Sequence, residues 1–436
     1  MRNFGGIGVL ALFLGLFGAS PTQAGVLPAG PNIKVTDPAL GDDDARSPDI
    51  AAQGNVRYAV WLDERFGSTL KEEVFFARSE DGGQTWGTNK DISLDGFDGA
   101  SSGYLEDPAI SVAPNGHIWV VWGLEQCGFG NCGTTDYDND VRLACSTDGG
   151  ATWAEYLLYD GLIPGGLVDV EQAVQIYAYD DRAVVMYGAL NQNGIGFDMF
   201  VATITPTQTG LSANRIKVSS GVASGRDGSA SGISQFVRMS LAVRGETVCA
   251  AWEDQRGQPG GRFAIYGNCS TNGGRTFGAD FPITGSDDYL PKLAFAPDGK
   301  LYIAYKDELE RDIFLRSSAD NGASWSAPLQ VSRTASTREI FDFDIAVDPN
   351  GQIVIAAPII DFRESDLYLY TSINGGQTFA AYGPVEDGQG RNPTVSAQIK
   401  PELIITGDTG SAVAQVVWED TRNAGDEIWS RACQPR

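Results

Sequence analysis

Histidine is almost missing: His117 is the single one in 436 residues. Imidazole-rich metal sites are therefore excluded, and Ser–His–Asp nucleophilic catalysis has little to draw on. Methionine is scarce too, at 4, and no stretch shows sustained helical periodicity of its apolar residues. Basic residues are outnumbered, 31 Lys and Arg against 56 Asp and Glu, a formal net charge of −25. Such a surface repels nucleic-acid phosphates and anionic membranes, so no nucleic-acid partner is expected. Past the N-terminal segment no apolar run approaches the ~18 residues of a membrane span.

What is plentiful is glycine, at 54 residues, which suits many short strands joined by tight turns. Residues 1–24 read as a secretory signal: Arg2, an apolar and glycine stretch from Phe4 to Phe17, and a small residue, Ala24, before Gly25. Residues 25–436 are then expected to form one exported domain, secreted or held at the cell surface, and monomeric. Six cysteines in an exported chain point to disulfides. Cys249 and Cys269 flank a turn region and are placed to pair across a hairpin; Cys127 and Cys132 share one loop and are placed to pair as well; Cys145 and Cys433 are left over.

One octapeptide occurs five times: Ser79–Trp86, Ser146–Trp153, Ser270–Phe277, Ser318–Trp325 and Ser372–Phe379. Ser-x-Asp/Asn-Gly-Gly-x-Thr-Trp/Phe fits a hairpin, with Asp or Asn bonding the backbone ahead, glycine taking positive φ, and the ring packing between strands. It ends a longer unit that holds a Pro-Asn/Asp-Gly turn, as in Ala113–Gly116, and an apolar strand ending in an aromatic, as in Ile118–Trp122. Seven units begin near Pro48, Pro108, Glu171, Phe236, Leu290, Phe341 and Pro393. The third has Thr205–Gly210 where the octapeptide would stand, and the seventh stops one strand short. Ile33–Thr36 matches Ile216–Ser219 and supplies the missing strand, closing the ring without a free edge. The expected fold is an all-β, seven-bladed β-propeller with the N-terminal strand completing the last blade.

The octapeptide resembles the Asp-box, or bacterial neuraminidase repeat, and the chain is similar to the sialidase-like propellers over nearly all of residues 30–436. The known sialidases have six blades, so the resemblance leaves six as the alternative count. It also implies that substrate meets the face opposite the octapeptide turns. There the family places an arginine trio for a carboxylate, an acidic general acid/base and a Tyr–Glu nucleophile. Carried over on the matching motif Arg46-Ser47-Pro48, Arg46 is the candidate carboxylate clamp, Arg65 a supporting arginine, and Glu72 (or Glu73) the candidate acid/base. Ala45 and Ser47 stand where the family has an aromatic residue and isoleucine. Arg391 opens the seventh unit in the same way.

A second recurrent motif reads Trp61-Leu62-Asp63-Glu64-Arg65, Trp252-Glu253-Asp254-Gln255-Arg256 and Trp418-Glu419-Asp420-Thr421-Arg422. Two readings stand side by side: Asp63 and its counterparts bind an acidic sugar, or they form a repeated turn-stabilising ion pair. The loops that break the repeat supply the other candidates. Tyr104 is placed for sugar stacking, Arg226 lies in a Gly/Ser-rich stretch, and Asp136, Asp138 and Asp140 alternate as a calcium loop would require. No cofactor is otherwise required. Fold outranks activity in such a resemblance. The leading expectation is thus a recognition scaffold for an extracellular glycan or protein, ahead of a sialidase-type glycosidase and of a purely structural surface component.

Overall fold

Thirty strands and no helix make up the described part of the computed structural model, which comprises residues 26–37, 45–65, 72–93, 103–127, 137–159, 174–190, 196–207, 210–220, 224–225, 238–256, 262–285, 287–333, 338–361, 364–385, 398–407, 412–421 and 426–435. The candidate signal segment lies outside them. The strands form seven antiparallel sheets, in chain order from first strand to last except where the N-terminal strand completes the last sheet and where two sheets carry an extra short strand. Blades 1 to 6 span residues 45–91, 103–159, 175–217, 239–282, 288–330 and 338–382; blade 7 spans 398–435. Its fourth strand is Val26–Lys34, with Ile33 opposite Ser430 and Lys34 opposite Trp429. Seven blades replace the six of the alternative count. The first strand of every blade touches that of the next all the way round, blade 7 to blade 1 included, so the first strands line the axis.

Each blade is covered on both faces by its neighbours, which explains the residue choice in its second strand. Val56–Asp63, Thr247–Asp254 and Val413–Asp420 are buried at every position after the first. Continuous apolar runs with β-branched and aromatic residues suit a strand hidden on both sides. Trp61, Trp252 and Trp418 lie two residues before the ends of these strands and Trp122 midway along Ile118–Cys127; all four are fully buried between blades.

The repeated octapeptide is both a hairpin and a latch. In the first copy the Ser79 hydroxyl accepts the Gly83 N–H at 2.9 Å; the Asp81 carboxylate accepts the Thr85 N–H at 2.9 Å and its hydroxyl at 2.6 Å. The aromatic at its end then packs on the preceding blade: Trp153 meets Phe76 edge-on, 5.1 Å between ring centres. The second glycine of the turn comes so close to that blade that no side chain fits. A Cβ at Gly150 would lie 2.4 Å from Phe76, and one at Gly322 would lie 2.5 Å from Phe281. In the fourth copy Asn321 holds a left-handed φ of 54° where the others have glycine, a conformation asparagine tolerates best after glycine.

Candidate functional site

Antiparallel alternation puts the octapeptide turns at one end of the axis. The loops between second and third strands, and those from one blade to the next, lie at the other. At this second end the first strands open into an axial funnel of about 620 Å³, including the part open to solvent, lined by residues of all seven blades. His117 is at the opposite end, in a turn with Asn115.

The funnel wall is built from bulges. Ser47, Leu290 and Lys400 have φ of 53°, 55° and 47°, each just before a proline and each where the pairing of first and second strands shifts register. A left-handed residue before proline is disfavoured twice over, by its own Cβ and by the proline ring. Three such residues at corresponding places mean that the surrounding sheet imposes the strain, a pattern that concentrates at ligand sites. The bulge turns the following residues inward: Asp49 in blade 1, Lys292 in blade 5, Glu402 in blade 7.

The charges so gathered are mostly tied to one another. The Lys400 ammonium donates to the Ser47 hydroxyl at 2.5 Å and to Asp107 at 3.0 Å. Lys292 donates to Glu402 at 3.1 Å and sits 3.8 Å from Asp344, joining blades 5, 6 and 7 across the axis. Asp49 accepts the Ile50 and Ile110 N–H groups, each at 2.7 Å, the second from the neighbouring blade. Burial pushes the Asp49 carboxyl up to about 7, and burial drives Glu402 well above the usual carboxylate range despite Lys292. Arg238 differs. Its guanidinium lines the funnel, and among the described residues it makes no side-chain hydrogen bond or ion pair.

The residues singled out in sequence are distributed unevenly. Arg46 and Glu72 do come together, as an ion pair, but the second Glu72 oxygen accepts the Leu105 N–H at 3.0 Å and the side chain is 2% exposed. Glu72 thus bridges blade 1 to blade 2. The structure favours the turn-stabilising reading of Asp63 and Arg65 over substrate binding. Asp63 is fully buried; it accepts the Trp61 indole N–H at 2.8 Å and the Arg65 Nε–H at 2.8 Å, while the guanidinium lies 4.0 Å from the Phe75 ring centre. Asp254 receives Trp252 at 3.1 Å and Arg256 at 2.8 Å, and Asp420 receives Trp418 at 3.0 Å. The motif is a clamp at the end of the second strand. Where its middle residue is glutamate, the carboxylate reaches the next blade: Glu253 accepts Leu290 N–H at 2.8 Å and Glu419 accepts Ser47 N–H at 3.3 Å.

Tyr104 lies in the first strand of blade 2 opposite Glu125, and Asp138 in its third strand opposite Gln126, but their side chains lie outside the description. Arg226, Arg391, Asp136 and Cys132 fall outside the described residues altogether. Asp140 is buried and paired with Arg142 at 3.0 Å; among the described residues no group of three or more potential metal ligands is found. Cys249 and Cys269 are bonded, directly opposite on adjacent strands. Cys145 and Cys433 are free thiols. Lys292, Lys400, Arg238 and Glu402 were not singled out in sequence; the one available signal was the X-Pro step opening blades 1, 2, 5 and 7.

No protein-family model and no curated protein matches the sequence. Solved structures do match in fold. A protein of unknown function from Dyadobacter fermentans is 11% identical with a TM-score of 0.52, covering 94% of this chain and 100% of its own. The Hadza microbial sialidase Hz136 is 15% identical with a TM-score of 0.51, covering 92% and 68%. The NanB sialidase of Streptococcus pneumoniae is 11% identical with a TM-score of 0.50, covering 77% and 68%. At such identities the likeness is one of fold, and the chain is a seven-bladed propeller of sialidase-like architecture.

Proposed function

We propose that this protein is an extracellular recognition propeller that binds a glycan over its axial funnel. The observation that carries the reading is the contrast inside the funnel: its lysines are hydrogen-bonded to carboxylates and hydroxyl, whereas the Arg238 guanidinium, a rigid fork of donors, feels the Asp107 and Glu253 carboxylates through space and makes no side-chain hydrogen bond among the described residues. Elsewhere in the funnel, carboxylates and ammonium groups lie within hydrogen-bonding range of one another, which suits a ligand rich in hydroxyls. The similarity to structures titled sialidases supports a glycan rather than another polar ligand. The Cys249–Cys269 disulfide supports an oxidising, extracellular setting. The arginine trio of a sialidase has no support among the described residues, where Arg238 is the one arginine lining the funnel. The test pairs a printed glycan array with a fluorogenic sialoside assay. Binding without turnover, reduced ten-fold or more by Arg238→Ala, is expected; binding that ignores Arg238→Ala would contradict the reading.

A glycosidase is the second reading, favoured by one observation. Asp49 and Glu402 are half-buried carboxyls, the first held at about 7 and the second well above the usual carboxylate range, the direction of shift that a general acid requires. Turnover of the sialoside, lost in Glu402→Gln, would establish it over the first.

A further inference from the structure

Away from the funnel, a groove of about 1150 Å³, including the part open to solvent, lies between the outer parts of blades 5 and 6. One wall is aromatic: Tyr368 and Tyr370 from the third strand of blade 6, and Phe379 from its octapeptide. The other wall is the short outer strand of blade 5, Leu329–Gln330, with Val331. Arg333 stands at the funnel end of the groove and Gln377 at the octapeptide end.

Two features of the sequence open this groove. The octapeptide of blade 6 ends in Phe379, smaller than Trp86, Trp153 or Trp325 in the corresponding place. The preceding blade also covers little, because its outer strand has 2 residues. Blade 4 carries the same smaller ring, Phe277, but the outer strand before it, Gly210–Lys217, has 8 residues.

The groove displays unused hydrogen-bonding capacity. Tyr370 is 5% exposed, yet among the described residues its hydroxyl has no hydrogen-bond partner, and the same holds for Tyr368. Other tyrosine hydroxyls at blade junctions are satisfied: Tyr302 donates to the Gly375 carbonyl at 3.2 Å and Tyr179 to the Gly245 carbonyl at 2.7 Å. Both hydroxyls open onto solvent in the groove and are not sealed in the core, so along one wall they stand available to a polar ligand. The Tyr368 ring packs against Gly383, where an added Cβ would lie 2.5 Å from it.

We infer that this groove is a second carbohydrate-binding site, taking a short chain of pyranose sugars independently of the funnel. Pyranose rings offer flat C–H faces to aromatic rings and hydroxyls to Tyr368, Tyr370, Gln377 and Arg333. A peptide strand fits the chemistry less well: the exposed sheet edges here are 2 and 3 residues long, too short for a backbone ladder.

The experiment applies a printed array of oligosaccharides of about two to six units, neutral and acidic, to the full chain. The strongest hit is then titrated by calorimetry. Tyr368→Phe/Tyr370→Phe removes both hydroxyls and keeps both rings, so folding is retained. The double variant is expected to weaken at least one array ligand about ten-fold, a loss that Arg238→Ala does not reproduce. Absence of any array ligand, ligands indifferent to the double variant, or ligands weakened by Arg238→Ala alone would each overturn the groove. The last of these would leave the funnel reading standing; that reading fails separately, if no array ligand at all is weakened by Arg238→Ala. Retention of unglycosylated peptides in place of sugars would overturn it as well.

Discussion

Replacing Gly150 by alanine tests the idea that the octapeptide turn holds one blade to the next. Gly150 has φ of 90°, and a Cβ there would lie 2.4 Å and 2.6 Å from two ring atoms of Phe76 in blade 1. The left-handed backbone alone costs an alanine ~1–2 kcal/mol. Forcing Phe76 aside adds an overpacking term of ~1–3 kcal/mol, because that ring is already held edge-on by Trp153. The expected total is about 2–5 kcal/mol. Gly54 provides the control: its φ is 59°, but a Cβ there meets nothing within 4 Å, so Gly54→Ala should cost the backbone term only. Urea unfolding of the two variants, read from midpoints at equal slope, isolates the difference. A Gly150→Ala midpoint no lower than that of Gly54→Ala would refute the latch.

Asp63→Asn removes the buried carboxylate that receives Arg65, and breaking a buried pair costs ~3–5 kcal/mol; the melting temperature should fall sharply, and an unchanged one would contradict the clamp. Burial pushes Glu253 from 4.5 up to about 7. The folded protein then keeps a proton that the unfolded chain releases, so this group lowers stability as pH rises from about 4.5 to about 7 and adds no further change above. Glu253→Gln should flatten that slope by up to ~3 kcal/mol between pH 5 and pH 8. Unfolding free energies measured at the two pH values check it, with an unaltered slope as the contrary result.

The fold was readable because its information is repeated. Each unit brings its own turn, its buried second strand and, in five units, the octapeptide. Blade 3 lacks the octapeptide and has Thr205–Gly210 in its place, and the likeness of its Ile216–Ser219 to Ile33–Thr36 located the strand that closes the ring. Local irregularities were not readable. The first strand of blade 6 is split into Arg338–Glu339 and Asp344–Val347, and Ser224–Gly225 adds a fifth strand to blade 3. The site was harder for the opposite reason. Lys292, Asp344, Glu402 and Lys400 sit in three different blades, and only closure of the ring makes them neighbours. Asp63 and Arg65 attracted attention because their motif recurs. Recurrence marked the clamp that every such strand end needs, while the residues that face the axis are those that change from blade to blade.

The most direct test of the funnel as a recognition site is one titration: the strongest array glycan that Tyr368→Phe/Tyr370→Phe leaves unweakened, against wild-type protein and Arg238→Ala, with sialoside release followed in the same samples. Binding weakened at least ten-fold by the substitution, with no sialoside released by either protein, is the expected result. Equal affinity in the two proteins, or release of the sialoside by the wild type, would contradict it.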